Sequence, residues 1–156
     1  MLTTYAVAHI ATPIGFVRVT GTPKGIARVD FAEDILQESE GDILAGCVTQ
    51  LREYFDGKRK KFDSLNLHFA ATDFQREVWD ALMEVPFGEI VTYGELAKLA
   101  GHGGAARAVG TAMNVNPIAI IIPCHRVLPA DRSIGQYASG THRKEWLLRH
   151  ESVQCG

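Results

Sequence analysis

Residues 120–127 read Ile-Ile-Ile-Pro-Cys-His-Arg-Val, and they constrain the fold more than any other stretch of the chain. Three successive β-branched residues predict a short, fully buried strand over 120–122. Pro123 has no backbone N–H, so regular strand pairing should end there. A thiol, an imidazole and a guanidinium follow at once, where buried scaffold gives way to a segment that can carry chemistry. We therefore expect the functional site at this point of the chain.

The cysteine of this stretch, Cys124, can be either a small core residue or a nucleophile. A free thiol has a pKa of about 8.5, and the cationic side chains beside it should lower that pKa. If the strand continued past Pro123, Cys124 and His125 would point to opposite faces. These residues alone therefore leave open whether the thiol and the imidazole touch.

Composition limits the class of protein. With 156 residues, 46% of them hydrophobic and 22% charged, the chain suits one globular domain or two small ones. No apolar run reaches the roughly 20 residues that span a bilayer, and no signal peptide is visible. The 3 cysteines show no Cys-x-x-Cys spacing, which argues against a disulfide framework and a cysteine-rich zinc site. We expect a protein of the reducing cytoplasm.

The charge is distributed unevenly. The net charge of −2 by itself argues against DNA as a partner. Residues 1–85 carry 9 Lys and Arg against 13 Asp and Glu, whereas residues 86–156 carry 7 against 5, which gives −4 and +2. The half that holds the cysteine stretch is therefore the basic half, and it predicts a small phosphate footprint.

The N-terminal half reads as strands joined by turn sequences, followed by one helix. The predicted strands are Thr4–Ile10, Phe16–Thr20 and Ile26–Phe31, with an acidic loop over 32–40 behind them. Apolar residues at helical spacing predict a helix over Asp42–Asp56. Cys47 lies on the apolar stripe of that helix, so it is predicted to be a core residue.

The C-terminal half reads as short helices. Thr72 and Thr92 each begin a capping box, in which Gln or Glu stands three residues later, and the helices that they open should end at Val85 and Ala100. A glycine-containing turn and a helix over Ala105–Asn114 follow, which is typical of a helix-turn-helix. The remaining predicted elements are a loop over 128–136, a small-residue loop over 137–140 and a helix over Thr141–Glu151.

The helix over Ala105–Asn114 carries little side chain apart from Arg107. A helix that reads the major groove needs several polar side chains for the base edges. A smooth helix with one arginine instead suits close approach to a groove without sequence readout. Packing against another helix, with Arg107 in a surface salt bridge, explains the same composition, so both interpretations stay open here.

Pro-Cys-His-Arg over 123–126 matches the active-site signature of the O6-alkylguanine-DNA alkyltransferases, and the chain resembles this family over roughly residues 74–151. The other matching segments are Arg107–Gly110, Asn116–Pro117, Tyr137–Gly140, Lys144–Leu148 and His150–Glu151. The resemblance implies an α+β fold. Its first domain, over 1–68, would be a small three-stranded antiparallel sheet with a helix, of RNase H-like type. Its second, over 69–156, would be a winged-helix-like helical DNA-binding and catalytic domain.

The activity that this resemblance implies is that of a methylated-DNA–protein-cysteine S-methyltransferase. Such a protein repairs double-stranded DNA by moving an alkyl group from O6 of guanine, and from O4 of thymine, irreversibly to Cys124. Two other functions could use similar residues: a Cys-His-Glu hydrolase, and a winged-helix DNA-binding regulator with a core cysteine. The hydrolase lacks a glycine-rich protease motif around Cys124 and leaves the helix-turn-helix without a role. The resemblance favours alkyl transfer.

The resemblance also implies a role for each catalytic residue. Cys124 would be the acceptor thiol, and His125 would be its base, acting through a water molecule. Glu151 would orient that histidine, as in triad chemistry. Tyr93 would donate a hydrogen bond to N3 of the damaged guanine, and Asn116 would tie the recognition helix to the active-site turn.

The pocket and the DNA contacts come from the same resemblance. The pocket residues would be Val127, Tyr137, Ala138, Ser139 and Gly140, and the DNA-binding residues Thr92, Ala106, Arg107, Ala108 and Gly110. Main-chain carbonyls of Cys124 and Val127 would accept the exocyclic amine of guanine. Arg107 would enter the base stack when the damaged nucleotide is flipped out, a step that chemistry on a base in a duplex requires.

The sequence departs from the family in three places. Ser139 stands where many members have glycine, which narrows the loop beside the alkyl group. Ala138 stands where some members have serine, so only its backbone N–H is available. The N-terminal zinc ligands of some members have no counterpart, since Cys47 is alone on its helix. We expect no metal, no cofactor, no membrane contact and a monomer.

Overall fold

The computed structural model describes residues 6–35 and 42–152. The chain forms two units, residues 1–70 and residues 71–156. The predicted functional boundary between residues 68 and 69 stays a prediction. The start of the predicted first strand, most of the predicted loop over 32–40 and Cys155 lie outside the described residues.

The first unit contains a three-stranded antiparallel sheet in the order β1-β2-β3, as predicted. Its strands are β1 (Ala6–Thr12), β2 (Gly15–Thr22) and β3 (Gly25–Ala32). Val17 of β2 pairs in register with Phe31, and Val19 pairs with Val29. Both β2 valines are fully buried, because alternate residues of a strand face the same side. The predicted strands are confirmed, with ends shifted by one or two residues.

Helix α1 (Asp42–Phe55) covers this sheet and confirms the predicted helix. Leu44, Cys47, Leu51 and Tyr54 recur every three or four residues, and all four are buried. The prediction that Cys47 belongs to the core is therefore confirmed. Burial raises the pKa of its thiol to about 12, so this cysteine stays a protonated, unreactive core residue.

The second unit is built on four helices, α2 (Asp73–Met83), α3 (Tyr93–Leu99), α4 (Ala106–Asn114) and α5 (Thr141–His150). Both predicted capping boxes are confirmed. The Thr72 hydroxyl accepts the Gln75 N–H at 3.1 Å and the Gln75 side chain accepts the Thr72 N–H at 3.0 Å. Thr92 and Glu95 repeat this exchange at the start of α3. These reciprocal bonds fix where the two helices begin.

The predicted strand over 120–122 is wrong. The three isoleucines are buried as expected, but they form consecutive turns rather than a strand. The Ile122 N–H donates to the Ile118 carbonyl at 3.0 Å, and Ile120 has a φ of 72°. A β-branched residue rarely takes a left-handed φ, so tertiary burial of this side chain overrides its β-propensity.

The strand pairing lies after the cysteine instead. Strand β4 (Val91–Thr92) pairs in parallel with β5 (Val127–Leu128). The predicted loop over 128–136 therefore loses its first residue to β5. This short pairing joins the N-terminus of α3 to the end of the cysteine segment. It therefore brings the start of α3, where Tyr93 lies, close to the Cys124–Arg126 segment.

Helix α5 confirms the predicted helix over Thr141–Glu151 to within one residue and buries one face. Lys144, Leu147 and Leu148 are buried, whereas Trp146 and His150 are only half-buried and stack on each other with ring centroids 4.8 Å apart. Within residues 6–35 and 42–152, no helix is long and apolar enough to cross a membrane.

Candidate active site

The residues Cys124–Arg126 form a single 3₁₀ turn directly after Pro123. The Val127 N–H donates to the Cys124 carbonyl and closes the turn. Cys124 keeps 8% of its surface, and His125 is completely buried. This 3₁₀ turn is not a strand, so the opposite faces that a continued strand would give Cys124 and His125 do not apply. It leaves the thiol at the edge of the unit and the imidazole inside it.

Asn116 fixes the approach to this turn. Its side-chain amide donates to the Ile122 carbonyl at 2.8 Å, and its side-chain oxygen accepts the Ile118 N–H at 2.9 Å. One side chain therefore satisfies one backbone group at each end of residues 118–122, where no strand supplies a partner. Since Asn116 follows α4 by two residues, it connects that helix to the cysteine segment.

The two residues that follow Cys124 belong to a buried ion cluster. Glu151 accepts His125 Nε2 at 2.7 Å on Oε2. Arg126 grips the same carboxylate with two bonds, from Nε at 2.8 Å and from Nη2 at 3.0 Å. Its Nη1 donates to the Val85 carbonyl at 2.7 Å. Charge-assisted, bidentate bonds of this kind set the orientation of Glu151 and, through it, that of the imidazole.

The protonation states follow from burial and these contacts. Burial works against the charge of Glu151, but bonds from His125 and Arg126 more than offset it and hold the pKa of Glu151 well below its usual range. Burial also lowers the pKa of His125, and Glu151 only partly opposes this because Arg126 and Lys144 act against it. The resting histidine is therefore a neutral imidazole beside a charged carboxylate.

The second ring nitrogen of that histidine is available for chemistry. His125 Nδ1 is buried and has no hydrogen-bond partner among the described residues. With Nε2 held by a carboxylate, Nε2 carries the proton and Nδ1 is the acceptor. A buried acceptor on a neutral imidazole is the group that a general base requires.

The thiol has a mixed environment. Burial raises the pKa of Cys124, while the side chains of Asn116 and Tyr137 and the ammonium of Lys144 favour the thiolate. Tyr93 is half-buried nearby, and its pKa is raised first by burial and then by Cys124. The hydroxyl of Tyr93 therefore stays protonated at neutral pH and can act as a donor at the thiol.

The predicted pocket loop forms a tight turn. The Gly140 N–H donates to the Tyr137 carbonyl at 2.9 Å, and Gly140 has a φ of 108°, which favours glycine. The Ser139 carbonyl accepts a hydrogen bond from Arg143 Nη1 at 2.9 Å, so a side chain of α5 fixes the turn. Ala138 is exposed at the tip of the turn.

The predicted DNA-binding residues divide between two surroundings. Arg107 and Ala108 are exposed on α4, and Arg107 forms no ion pair with any residue that the structure describes. Ala106 is half-buried, and a Cβ added to Gly110 would stand 4.0 Å from Tyr93 Cε1. Thr92 is buried and its hydroxyl caps α3. Among the described residues, Arg107 forms no hydrogen bond with the Cys124–Arg126 turn.

Two charged residues of the site were not found from the sequence. The sequence indicates Arg126 only as a positive charge near the thiol and contains no signal that this guanidinium binds Glu151. Lys144 had no predicted role, yet it is fully buried. A signal for it exists, because residues 144, 147, 148 and 151 follow helical spacing and define one face. No cluster of three or more potential metal ligands occurs within 6–35 and 42–152.

The chain has a three-stranded sheet unit, followed in sequence by a helix-turn-helix unit. The second unit holds a buried thiol and a His–Glu pair. Together these features define a cysteine-dependent, helix-turn-helix class of protein. Comparison with family profiles specifies the family. Residues 73–153 match the DNA binding domain of 6-O-methylguanine DNA methyltransferase, and residues 3–69 match its ribonuclease-like domain. The chain belongs to the 6-O-methylguanine DNA methyltransferase family, which confirms the resemblance and the predicted fold class.

Individual relatives agree along the chain. The methylated-DNA–protein-cysteine methyltransferase of Methanosarcina acetivorans is 44% identical over 152 residues, which is 92% of this chain and 96% of the relative. A crystal structure of Mycobacterium tuberculosis O6-methylguanine methyltransferase is similar with a TM-score of 0.85 and 38% identity, over 95% of this chain and 93% of that one. A crystal structure of Mycobacterium tuberculosis OGT in complex with DNA is similar with a TM-score of 0.84 and 40% identity, over 94% of this chain and 91% of that one.

Proposed function

We propose that this protein repairs DNA by transferring an alkyl group from O6 of guanine to the sulfur of Cys124. The observation that carries the proposal is the buried acceptor nitrogen of His125, the residue that follows Cys124 in the same turn, on an imidazole oriented by the Glu151 carboxylate, in a member of this family. The C–S bond forms as the C–O bond breaks, and the guanine leaves as a neutral base once it gains a proton.

His125 is the proposed base, and it takes the thiol proton through a bridging water. Transfer of that proton to Nδ1 makes an imidazolium whose charge is balanced by Glu151, which is already ionised. Tyr93 is the proposed donor to N3 of the departing guanine, which its protonated hydroxyl supports. Asn116 is proposed to keep the thiol in register with α4, in line with its bonds to the backbone of Ile118 and Ile122.

Substrate recognition is proposed for the two segments that flank the turn. The carbonyls of Cys124 and Val127 would accept the exocyclic amine of guanine, and each carbonyl oxygen has two lone pairs for the purpose. The loop Tyr137–Gly140 would enclose the alkyl group, with Ser139 narrowing it. Thymine O4 lesions are included in the proposal as weaker substrates, because thymine lacks that amine.

DNA would lie along α4. Arg107 is proposed to fill the base stack that the flipped nucleotide leaves, and its exposure without an ion partner supports this. Ala106, Ala108 and Gly110 would let the DNA backbone approach closely, and Thr92 would contact it beside α3. Flipping costs a few kcal/mol, and less for a weakened alkylguanine pair.

The test is mass spectrometry of the intact protein after incubation with O6-methylguanine duplex. We expect one methyl group per molecule, placed on Cys124 by peptide mapping, and no more than one turnover when the duplex is in excess. Cys124→Ala should bind the duplex and gain nothing, while Cys47→Ala should behave like wild type. Multiple turnovers, or a methyl group on another residue, would contradict the proposal. A winged-helix regulator would gain no methyl group, and a hydrolase would release its product.

The setting of this reaction is also proposed. Cys47 and Cys124 are both free thiols, which supports a reducing compartment, and we propose the cytoplasm. We further propose that the protein acts as a monomer without metal or cofactor. Residues 1–68 would serve as the non-catalytic domain and residues 69–156 as the catalytic one.

A further inference from the structure

Lys144 is a fully buried lysine in the first turn of α5. Lysine is almost never completely buried, because removing an ammonium from water is costly unless hydrogen bonds compensate. Its Nζ donates to the Val127 carbonyl at 2.8 Å and to the Gln136 carbonyl at 3.1 Å. The side chain therefore has a defined geometry rather than a loose place in the core.

The two carbonyls belong to different parts of the site. Val127 begins β5 immediately after the Cys124–Arg126 turn. Gln136 immediately precedes the loop Tyr137–Gly140. A single ammonium thus ties the segment proposed to bind the guanine amine to the segment proposed to enclose the alkyl group. Lys144 uses one lone pair of the Val127 oxygen and leaves the other for a second donor.

The anchor for this tie is rigid. Lys144 shares the inner face of α5 with Leu147 and Leu148, which are both buried, and with Glu151 one turn further on. The helix that presents the ammonium is thus the helix that leads to the carboxylate holding His125. When packed neighbours fix the groups that contact a substrate, the substrate is held in a well-defined position.

We propose that Lys144 is a positioning residue that sets the placement of the Val127 carbonyl against the pocket loop and so governs recognition of the guanine 2-amino group. This inference rests on the proposed function. Lys144 does not touch the reacting atoms in this role. It acts through the two carbonyls that it holds.

A purely electrostatic role makes different predictions. The ammonium also favours the thiolate of Cys124. If that were its only effect, removing it would slow every alkylated base by the same factor, and raising the pH would restore the rate. A positioning role instead acts selectively on bases that carry the 2-amino group, and its loss does not recover with pH.

The experiment compares single-turnover methyl transfer from duplexes that contain O6-methylguanine or O6-methylhypoxanthine, which lacks the 2-amino group. The variants are Lys144→Met, which removes charge and donors, and Lys144→Gln, which is too short to reach both carbonyls. The control is Arg149→Met, since Arg149 lies on the same helix and is 77% exposed. We expect the preference for the guanine lesion to fall about fivefold in both Lys144 variants, as for the loss of one hydrogen bond. Arg149→Met should keep the wild-type preference.

An unchanged preference in the Lys144 variants would overturn the inference, and so would a loss that disappears at raised pH. If Lys144→Met fails to fold by circular dichroism, Lys144→Gln decides alone by the same ratio. Absence of methylation in the wild-type protein would overturn the proposed function and this inference together. Wild-type methylation with an unchanged preference in the variants would overturn this inference only.

Discussion

Replacing Glu151 by glutamine tests the buried ion cluster directly. The carboxylate accepts one bond from His125 and two from Arg126, at 2.7 to 3.0 Å. Glutamine offers one acceptor oxygen and an amide that donates, so it leaves Arg126 buried without its counter-charge. Removing one partner of a buried ion pair costs about 3–5 kcal/mol. That is a large part of the roughly 5–15 kcal/mol by which a domain is stable.

The matched control is Glu145→Gln, on the same helix. Glu145 pairs with Arg149 at 2.6 Å, but the two side chains are 48% and 77% exposed. An exposed pair of this kind contributes only about 0.3–0.5 kcal/mol. Urea unfolding at neutral pH, followed by circular dichroism, measures both variants. Equal losses of unfolding free energy in the two variants would refute the reasoning.

The pH dependence of this difference has a definite sign. The pKa of Glu151 is held well below its usual range in the folded protein. Its stabilising effect is therefore complete above the unfolded pKa of about 4.3 and is lost as the pH falls further. The gap in unfolding free energy between wild type and Glu151→Gln should be constant near neutral pH and shrink below about pH 4. A gap that widens on acidification would contradict the assignment.

The same variant tests the relay. Without the carboxylate, an imidazolium at His125 loses its balancing charge and the thiol loses its proton less readily. Each unit of increase in the thiol pKa lowers the thiolate fraction at neutral pH by roughly tenfold. Single-turnover transfer should slow accordingly and recover as the pH rises. If Glu151→Gln follows the wild-type pH profile while His125→Ala is slow, the carboxylate supports the fold alone.

Two further predictions concern Arg107 and Cys47. Arg107→Ala should slow repair of a duplex lesion far more than reaction with free O6-methylguanine, because its proposed place is inside the duplex. Thr111→Ala is the control, and equal slowing of both substrates by Arg107→Ala would contradict the role. Cys47 should resist iodoacetamide in the folded protein and react in urea, because burial raises its pKa to about 12. Peptide mapping reads the outcome, and labelling of Cys47 without urea would show that the first unit opens.

Local signals in the sequence predicted local structure well. The capping boxes at Thr72 and Thr92 were readable because each involves a hydroxyl and an amide or carboxylate only three residues apart. The apolar stripe through Cys47 was readable for a similar reason, since a regular helix repeats its face over a few residues. Such elements need no information from the rest of the chain.

The isoleucine segment shows where such signals fail. A β-branched run has the composition of a strand, but a strand needs a neighbouring strand to pair with. Here the backbone bonds to itself, as from the Ile122 N–H to the Ile118 carbonyl, and the Asn116 side chain adds a donor to the Ile122 carbonyl. Burial tolerates the left-handed φ of Ile120. The sequence of the run contains no signal that the Asn116 side chain, several residues upstream, will bond to its backbone. Burial was therefore predictable and conformation was not.

The charged residues of the site show a second limit. Lys144 and Glu151 lie on the same buried face as Leu147 and Leu148, but charged residues at the ends of an apolar stripe are ordinarily solvated. Their burial depends on partners far along the chain, such as Arg126 and the carbonyl of Val127. The family resemblance could give Glu151 its proposed place in the relay. It could not show that a guanidinium shares that carboxylate.

The bond between Trp79 and α4 has a mechanical consequence. The indole N–H of Trp79, on α2, donates to the Ala112 carbonyl at 3.2 Å, and both residues are almost completely buried. The indole has a single donor, so sliding α4 away would leave it unsatisfied in the interior. Helix α4, along which DNA is proposed to lie, is thus tied to α2 on its buried side and should move together with it. In the proposed reaction α4 therefore keeps its position in the protein, and it is the DNA that bends and unstacks on binding.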